Sequence, residues 1–442
     1  MAVMVADRSD STQKTNGGTG RTVVRAGFIP LVDCAVLVAA AEQGFARAEG
    51  IDLVLSKEAS WASIRDKVNL GHLDCAQMLA GMPIASSLGI GHVRVPTIAP
   101  YALGLNGNAI TVSLDLYRRM AASGGLTGDE GPAGMVRALR RVIDQAKARG
   151  DAPLTFGMVF PFSCHNYQLR YWMAAGGIDP DVDVRLVVIP PPLMVESLRA
   201  GHIHGFCVGE PWNSLAVDAG LGRIVATTAE IWRMAPEKVL GIQSSWAESN
   251  PPALAALIRA LDKAAAWCDL PENRGGLAAL LSRECYTGVP QAVLARSLSG
   301  NLQVDRDGAV RSVPDFILFR RNAANFPWIS HALWIYSQMV RWGQTKPSAE
   351  AEAAVRRVYR PDLYRQALGA AGVPLPGANA KVEGSLGGPQ HVGVLTGSLL
   401  LGPDRFFDDR VFDPDDIGGY LAGFDIPAPS AAGSNAPSSP MN

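Results

Sequence analysis

TVVRAGFIP, Thr22 to Pro30, is the first strand-like run of this 442-residue chain, and a later copy of its pattern decides how the rest is read. The run is rich in β-branched residues, which suits a strand. It closes on a glycine, two apolar residues and a proline. Gly157-Met-Val-Phe-Pro161 repeats that close with one residue more, and Gly201-His-Ile-His204 repeats Gly71-His-Leu-Asp74. Counted from the glycines, both echoes fall 130 residues apart. Two matches in one register point to a duplicated βαβ architecture.

Working outward from Pro30, a helical segment is expected from Cys34 to about Glu49, then a strand in IDLVLSKEA. Trp61 to Leu70 carries Ile64 and Val68 four apart, which suits a short amphipathic helix ending at Gly71. LDCAQML supplies a third strand. Strands alternating with helices predict a parallel sheet with right-handed crossovers. Asn106-Gly107 is a turn signal before another strand. Helical periodicity runs from Pro132 to Ala148 and again from about Pro252 to Cys268, and an aromatic-rich stretch spans Phe326 to Trp342.

The expected organisation is an α/β protein of two lobes with a ligand cleft between them. A polar, disordered leader covers residues 1–21. The first lobe takes 22–112 and 238–372 with accessory helices, the second takes 113–237, and a C-terminal extension covers 373–442 with a disordered end.

Hydrophobic residues make up 48% of the chain and the formal net charge is −1. That supports a large core and gives no basic field for nucleic acid or an acidic membrane. The opening residues lack a basic region and an apolar run of secretory type, and no segment approaches the ~20 apolar residues that span a bilayer. The six cysteines, Cys34, Cys75, Cys164, Cys207, Cys268 and Cys285, are scattered, as in a reducing compartment. The expected location is the cytoplasm, with no cofactor and no metal.

Ligands of open α/β sheets bind beyond the carboxyl ends of strands, where helix N-termini offer free N–H groups to anions. Pro30-Leu-Val-Asp33 and Pro161-Phe-Ser-Cys-His165 are the two loops so placed. A small planar anion needs a cation, fixed donors and a flat apolar wall. Lys238 supplies the charge, His165 a ring donor, and Trp61 an indole N–H and a face. Each has a plainer reading: His165 as a cap, Lys238 as a solvated surface group, Trp61 as core packing. Glu210, in VGEPW, reads as a buried structural carboxylate or a ligand contact. Adjacent Cys164 and His165, or Cys34 in the first loop, would serve a nucleophilic enzyme, but neighbouring side chains at a helix start diverge. His202 and His204 lack the further ligands a metal needs.

Six extended motifs then carry a resemblance over roughly Val23 to Leu368. They are ASWASIRDKVNLGHLDCAQMLAGMP, LGLNGNAITVS, RYWMAAGGIDPD, VGEPWN, PEKVLGI and NFPWISHALWIYSQMVRWGQ. Together they resemble the nitrate-binding, NrtA-like branch of the substrate-binding proteins of ABC transporters. The resemblance implies a type II periplasmic-binding-protein fold that closes like a clamshell, and no enzymatic activity. It implies that Trp61, His165 and Lys238 hold the anion, with Asn108 standing where those relatives carry a Gln. Bicarbonate-binding cousins replace the His and Lys, which argues against bicarbonate here. With no export signal read at the start of the chain, the resemblance is to cytoplasmic NasS-type nitrate/nitrite sensors. These hold an RNA-binding antiterminator of the NasT type and release it when ligand binds. The nitrate-binding subunit of a transporter is the alternative.

Overall fold

A computed structural model describes residues 20–126, 130–394 and 397–426. Nearly all of the expected leader and the Pro/Ser/Ala-rich end after Ile426 lie outside the described residues.

Two sheets are built on one plan. The strands are β1 (Thr22–Phe28), β2 (Ile51–Lys57), β3 (Cys75–Leu79), β4 (Thr97–Asn106), β5 (Asn108–Ser113), β6 (Leu154–Met158), β7 (Val184–Val188), β8 (Gly205–Gly209), β9 (Gly222–Thr227) and β10 (Pro236–Gln243). The first sheet runs β2-β1-β3-β10-β4, with the short strand Ile317–Leu318 beyond β4, and the second runs β7-β6-β8-β5-β9. In each, three strands are parallel, as the βαβ periodicity predicts. Of these five strands only the fourth, β10 in one sheet and β5 in the other, runs antiparallel to its neighbours, so both sheets are mixed rather than parallel. The reason is exchange: β5 leaves the first lobe to enter the second sheet, and β10 returns to enter the first.

The duplication extends to single hydrogen bonds. Asp74 N donates to Arg25 O at 2.9 Å, and His204 N donates to Thr155 O at 2.8 Å, each atom 130 residues from its counterpart. His204 Nδ1 also accepts from Thr155 N at 3.0 Å, where Asp74 accepts from Arg25 N at 2.8 Å. His204 thus repeats the structural work of an aspartate.

Strand pairing places the first crossing at Gly107 and the second just before Pro236. Residues 108–112, expected in the first lobe, belong to the second sheet, while the return falls close to the expected position 238. Asn106, in a left-handed conformation at φ 62°, ties the two crossings together. Its side-chain amide donates to Arg233 O (2.7 Å) and Asp315 O (3.0 Å), and its oxygen accepts from Ala235 N (3.0 Å).

Helix limits follow local chemistry. The expected Cys34–Glu49 helix is broken in two, Ala35–Glu42 and Phe45–Ala48, because Gly44 takes φ 79°. The helices Trp61–Asn69, Gly131–Arg149 and Pro251–Asp269 lie where periodicity puts them. The described part of the C-terminal extension is folded onto both lobes. Against 113–237, Phe406 stacks on Trp232 with centroids 4.5 Å apart and Tyr171 donates to Asp408 at 2.9 Å; against 238–372, Ser330 Oγ donates to Glu383 Oε1 at 2.6 Å. Among the described residues no helix is long and apolar enough to cross a membrane.

Candidate functional site

The two exchanged strands begin side by side on the floor of the cleft. Asn108, the first residue of β5, donates from Nδ2 to Glu237 Oε2 at 2.6 Å, and Glu237 is the second residue of β10. In a regular strand Glu237 and Lys238 would face opposite ways. Register shifts on both sides of Lys238 break that alternation, and a bulge turns consecutive side chains to one side. Lys238 Nζ is therefore bonded to Glu237 Oε1 and also lies 2.7 Å from Asp33 Oδ2. All three side chains are buried.

Walls come from both lobes. Ser60 caps the helix Trp61–Asn69 by accepting from Ser63 N at 3.2 Å, which fixes Trp61 at the first helical position. Lys238 Nζ sits 5.4 Å from the Trp61 ring centroid, within cation–π range. From the second lobe, Ser163 caps the helix Cys164–Ala175 through Asn166 N at 3.0 Å and points His165 inward. His165 Nε2 lies 3.4 Å from Glu237 Oε1 but is not aligned for a hydrogen bond. Gly209 completes the enclosure: a Cβ there would stand 3.2 Å from Asn108 Oδ1 and 3.6 Å from Asp33 Oδ2.

Several buried polar atoms in this enclosure have no hydrogen-bond partner among the described residues. They are Trp61 Nε1, both ring nitrogens of His165 and Asn108 Oδ1. Buried polar groups are ordinarily satisfied, and an unmade bond costs about 1–3 kcal/mol. A cluster of such atoms drawn from both lobes makes this enclosure the candidate site. Trp61, Asn108, His165 and Lys238 are thus brought together; Trp61 also packs in the core, as its plainer reading has it, whereas Lys238 and His165 are buried rather than at the solvated surface.

Glu210 is not part of the group. Its Oε2 accepts from Ser214 N at 3.3 Å, and Ser297 and Arg296 are the other groups that act on its ionisation. Burial pushes its carboxyl up to about 7. Its main-chain carbonyl instead joins the lobes, accepting from Val32 N at 2.8 Å. That bond corrects a second expectation. The N–H groups of Leu31, Val32 and Cys34 are all spent on main-chain carbonyls. The first loop therefore gives the site a carboxylate, Asp33, rather than free donors.

The electrostatics differ from a simple positive pocket. Burial opposes charge on Lys238, but Asp33 and Glu237 outweigh it and raise the ammonium above its usual value. Burial, and then Lys238, drive His165 far below the usual imidazole range, so the ring is neutral. Burial also raises Glu237, with Asp33 adding to the effect and Lys238 opposing it. Asp33 is held further by Gln77, whose Nε2 donates to Oδ1 at 2.5 Å while its Oε1 accepts from Ile29 N at 2.9 Å. Sequence reasoning assigns no role in the site to Asp33, Gln77, Glu237 or Gly209, although all four stand in the motifs and loops it uses. Adjacency of Glu237 to Lys238 is the available signal.

Nucleophilic chemistry finds no support here. Burial raises the thiols of Cys34 and Cys164 well above their usual value, the opposite of activation. Among the described residues no set of three His, Cys, Asp or Glu side chains is placed to hold a metal. An apolar cavity of about 300 Å³ lined by Ile98, Leu254, Ile258 and Leu363 shares no residue with the cluster.

Two α/β lobes joined by two crossings, with exchanged strands and a buried polar enclosure between them, define a periplasmic-binding-protein-like substrate-binding protein. The sequence profile of the NMT1-like family matches residues 17–282, and the chain belongs to that family, in its NrtA-like, nitrate-binding-protein branch. It is 32% identical over 426 residues to the nitrate/nitrite binding protein NrtA of Synechococcus elongatus, covering 94% of this chain and 89% of the relative. It is 37% identical over 414 residues to the nitrate import ATP-binding protein NrtC of Synechocystis PCC 6803. That match covers 93% of this chain, which spans only 56% of NrtC's length. The crystal structure of the periplasmic nitrate-binding protein NrtA from Synechocystis PCC 6803 superposes with a TM-score of 0.80 at 28% identity. It covers 92% of this chain and 99% of that one. Sequence relatives matched along 84–89% of their own length are nitrate/nitrite binding proteins.

Proposed function

We propose that the chain binds nitrate or nitrite between its lobes, as the substrate-binding component of an import system. One observation carries the reading: Trp61 Nε1 and the His165 ring nitrogens are buried without partners around the Lys238 ammonium. A flat oxyanion sheds its water only where fixed donors replace it. The indole N–H, one imidazole N–H and the ammonium are such donors, and the Trp61 ring gives the flat wall. Asn108 gives one amide N–H to Glu237 and can offer the anion only the other, its unpartnered oxygen being an acceptor; Glu210 stays outside.

The decisive experiment is calorimetric titration of the protein with nitrate, nitrite and bicarbonate, repeated with Lys238→Glu. Heat with the two nitrogen oxyanions, none with bicarbonate, and loss of binding in the variant are expected. Wild-type protein that ignores both nitrogen oxyanions rules the reading out.

Import is favoured over sensing by the names of the relatives, which bind or import nitrate. A sensor would use the same site differently: closure would reshape a surface held by a NasT-type RNA-binding antiterminator, so that anion and partner bind antagonistically. Size-exclusion chromatography with such a partner, with and without saturating nitrate, separates the two roles. Cell fractionation then tests the compartment: export accompanies import, and retention in the cytoplasm accompanies sensing.

A further inference from the structure

We propose that the site takes up one proton together with its anion, and that the Glu237 carboxylate is the group that holds it. The proposal rests on the anion-binding reading above and follows from the charges that face Glu237. The turn Val32–Cys34 presents the Asp33 carboxylate, and β10 itself presents the Lys238 ammonium. The helix Cys164–Ala175 presents His165, a neutral ring, and the Cys164 thiol. β5 presents the uncharged Asn108 amide, β8 the Cys207 thiol, and the segment before Pro361 the Tyr359 phenol. Burial keeps both thiols and the phenol neutral by raising them well above their usual values. The enclosure thus holds two carboxylates against one ammonium.

Adding a monoanion would place three negative charges around one positive charge, all shielded from water. Like charges at such range in a buried site cannot all remain ionised. Binding one proton from solvent removes the excess, and nothing is oxidised or reduced: site, anion and proton combine with no leaving group. Both carboxylates bond Lys238 and accept from one amide, Asp33 from Gln77 and Glu237 from Asn108; of the two, Glu237 is the one set beside the uncharged His165 ring. Glu237 Oε1 lies 3.4 Å from His165 Nε2 without a hydrogen bond, and the neutral ring offers that oxygen no positive charge to favour ionisation. The upward displacement of Glu237 by burial acts in the same sense.

The test is calorimetric titration with nitrate from pH 6 to 9 in buffers of different ionisation enthalpy, which counts protons bound. Uptake approaching one proton is expected, with affinity falling toward tenfold per pH unit above the free carboxyl's pKa. Glu237→Gln, which carries no charge to neutralise, is expected to show no uptake and a flat pH profile; His165→Asn is expected to bind nitrate more weakly, with the uptake per bound nitrate unchanged. Wild-type binding that is flat with pH and takes up no proton overturns the proposal. So does uptake that survives in Glu237→Gln and vanishes in His165→Asn, which would put the proton on the imidazole. Absence of nitrate binding at every pH removes the anion-binding reading itself, and this proposal with it.

Discussion

Gly81 and Phe162 meet across the cleft with no space between them: a Cβ on Gly81 would stand 2.3 Å from the Phe162 carbonyl oxygen. Gly81 follows β3 in the first lobe, and Phe162 belongs to the loop that carries His165 in the second. Main chain against main chain leaves nothing flexible to yield. Gly81→Val should hold the lobes apart and weaken nitrate binding by at least about tenfold, or ~1.4 kcal/mol, while the separate lobe cores stay intact. Calorimetry combined with small-angle scattering checks this, and unchanged affinity would show that closure does not need this contact.

Trp61 tests whether the unpartnered atoms await a ligand. An orphaned buried donor costs the empty protein stability, so removing it is nearly free there and damaging only with ligand present. Trp61→Phe should shift unfolding in nitrate-free buffer by no more than about 1 kcal/mol, yet weaken nitrate binding by roughly 1–2 kcal/mol. Equal losses in both measurements would make Trp61 an ordinary core residue.

Lys238 holds two buried carboxylates, so its removal is a stability question as well as a binding one. Lys238→Met leaves Asp33 and Glu237 unpaired, and breaking a buried pair from one side costs about 3–5 kcal/mol. Adding Glu237→Gln removes one stranded charge and should recover part of that loss. Urea denaturation of both variants decides it. A double variant no more stable than the single one would mean that the carboxylates do not lean on Lys238.

The sequence makes the lobes legible because duplication repeats at the level of glycines and main-chain bonds: Gly27 with Gly157, Asp74 with His204. It also carries Trp61, His165 and Lys238 in motifs distinct enough to be grouped on their own. It hides the exchange of β5 and β10, since Asn106-Gly107 signals a turn but says nothing about which sheet the next strand joins. It hides the charge balance for a local reason. Strand alternation sends Glu237 away from Lys238, and only the bulge in β10 turns it back. Asp33 reads as part of a donor loop because helix starts offer N–H groups, and only the folded loop shows those of Leu31 and Cys34 turned back on itself and that of Val32 given to Glu210 O.

Glu383 anchors the C-terminal extension and gives it a pH limit. Burial opposes its ionisation, but Lys381 and His331 outweigh that and hold the carboxyl at about 2, below its ordinary 4.5. Its Oε1 also accepts from Ser330 Oγ at 2.6 Å. A carboxyl depressed in the folded state contributes stability that is fully present above 4.5 and lost as pH falls toward 2, on the order of 3 kcal/mol. Acid titration followed by near-UV dichroism should show the aromatic signal near Trp328 and Trp334 weakening in that window. Glu383→Gln should abolish the effect. A signal constant from pH 6 to 2.5 contradicts it.

Phe406 fastens the extension to the segment that leads into the strand carrying the ligand-site lysine. Its ring stacks on Trp232 at an interplanar angle of 19° and lies 5.5 Å from Tyr171 of the second lobe. Main-chain bonds flank the stack, from Arg233 N to Arg405 O at 3.1 Å and from Phe407 N to Ile231 O at 2.9 Å. Residues 231–235 lead straight into Glu237 and Lys238, so the extension braces the return crossing from outside while Asn106 ties it from within. Phe406→Ala removes a buried aromatic ring and should cost roughly 3–5 kcal/mol. If the brace also positions β10, nitrate affinity falls together with stability. Limited proteolysis should then cut within 397–426 at protease levels that leave the wild type whole. A variant that loses stability but keeps full affinity would show that Asn106 alone holds the crossing in register.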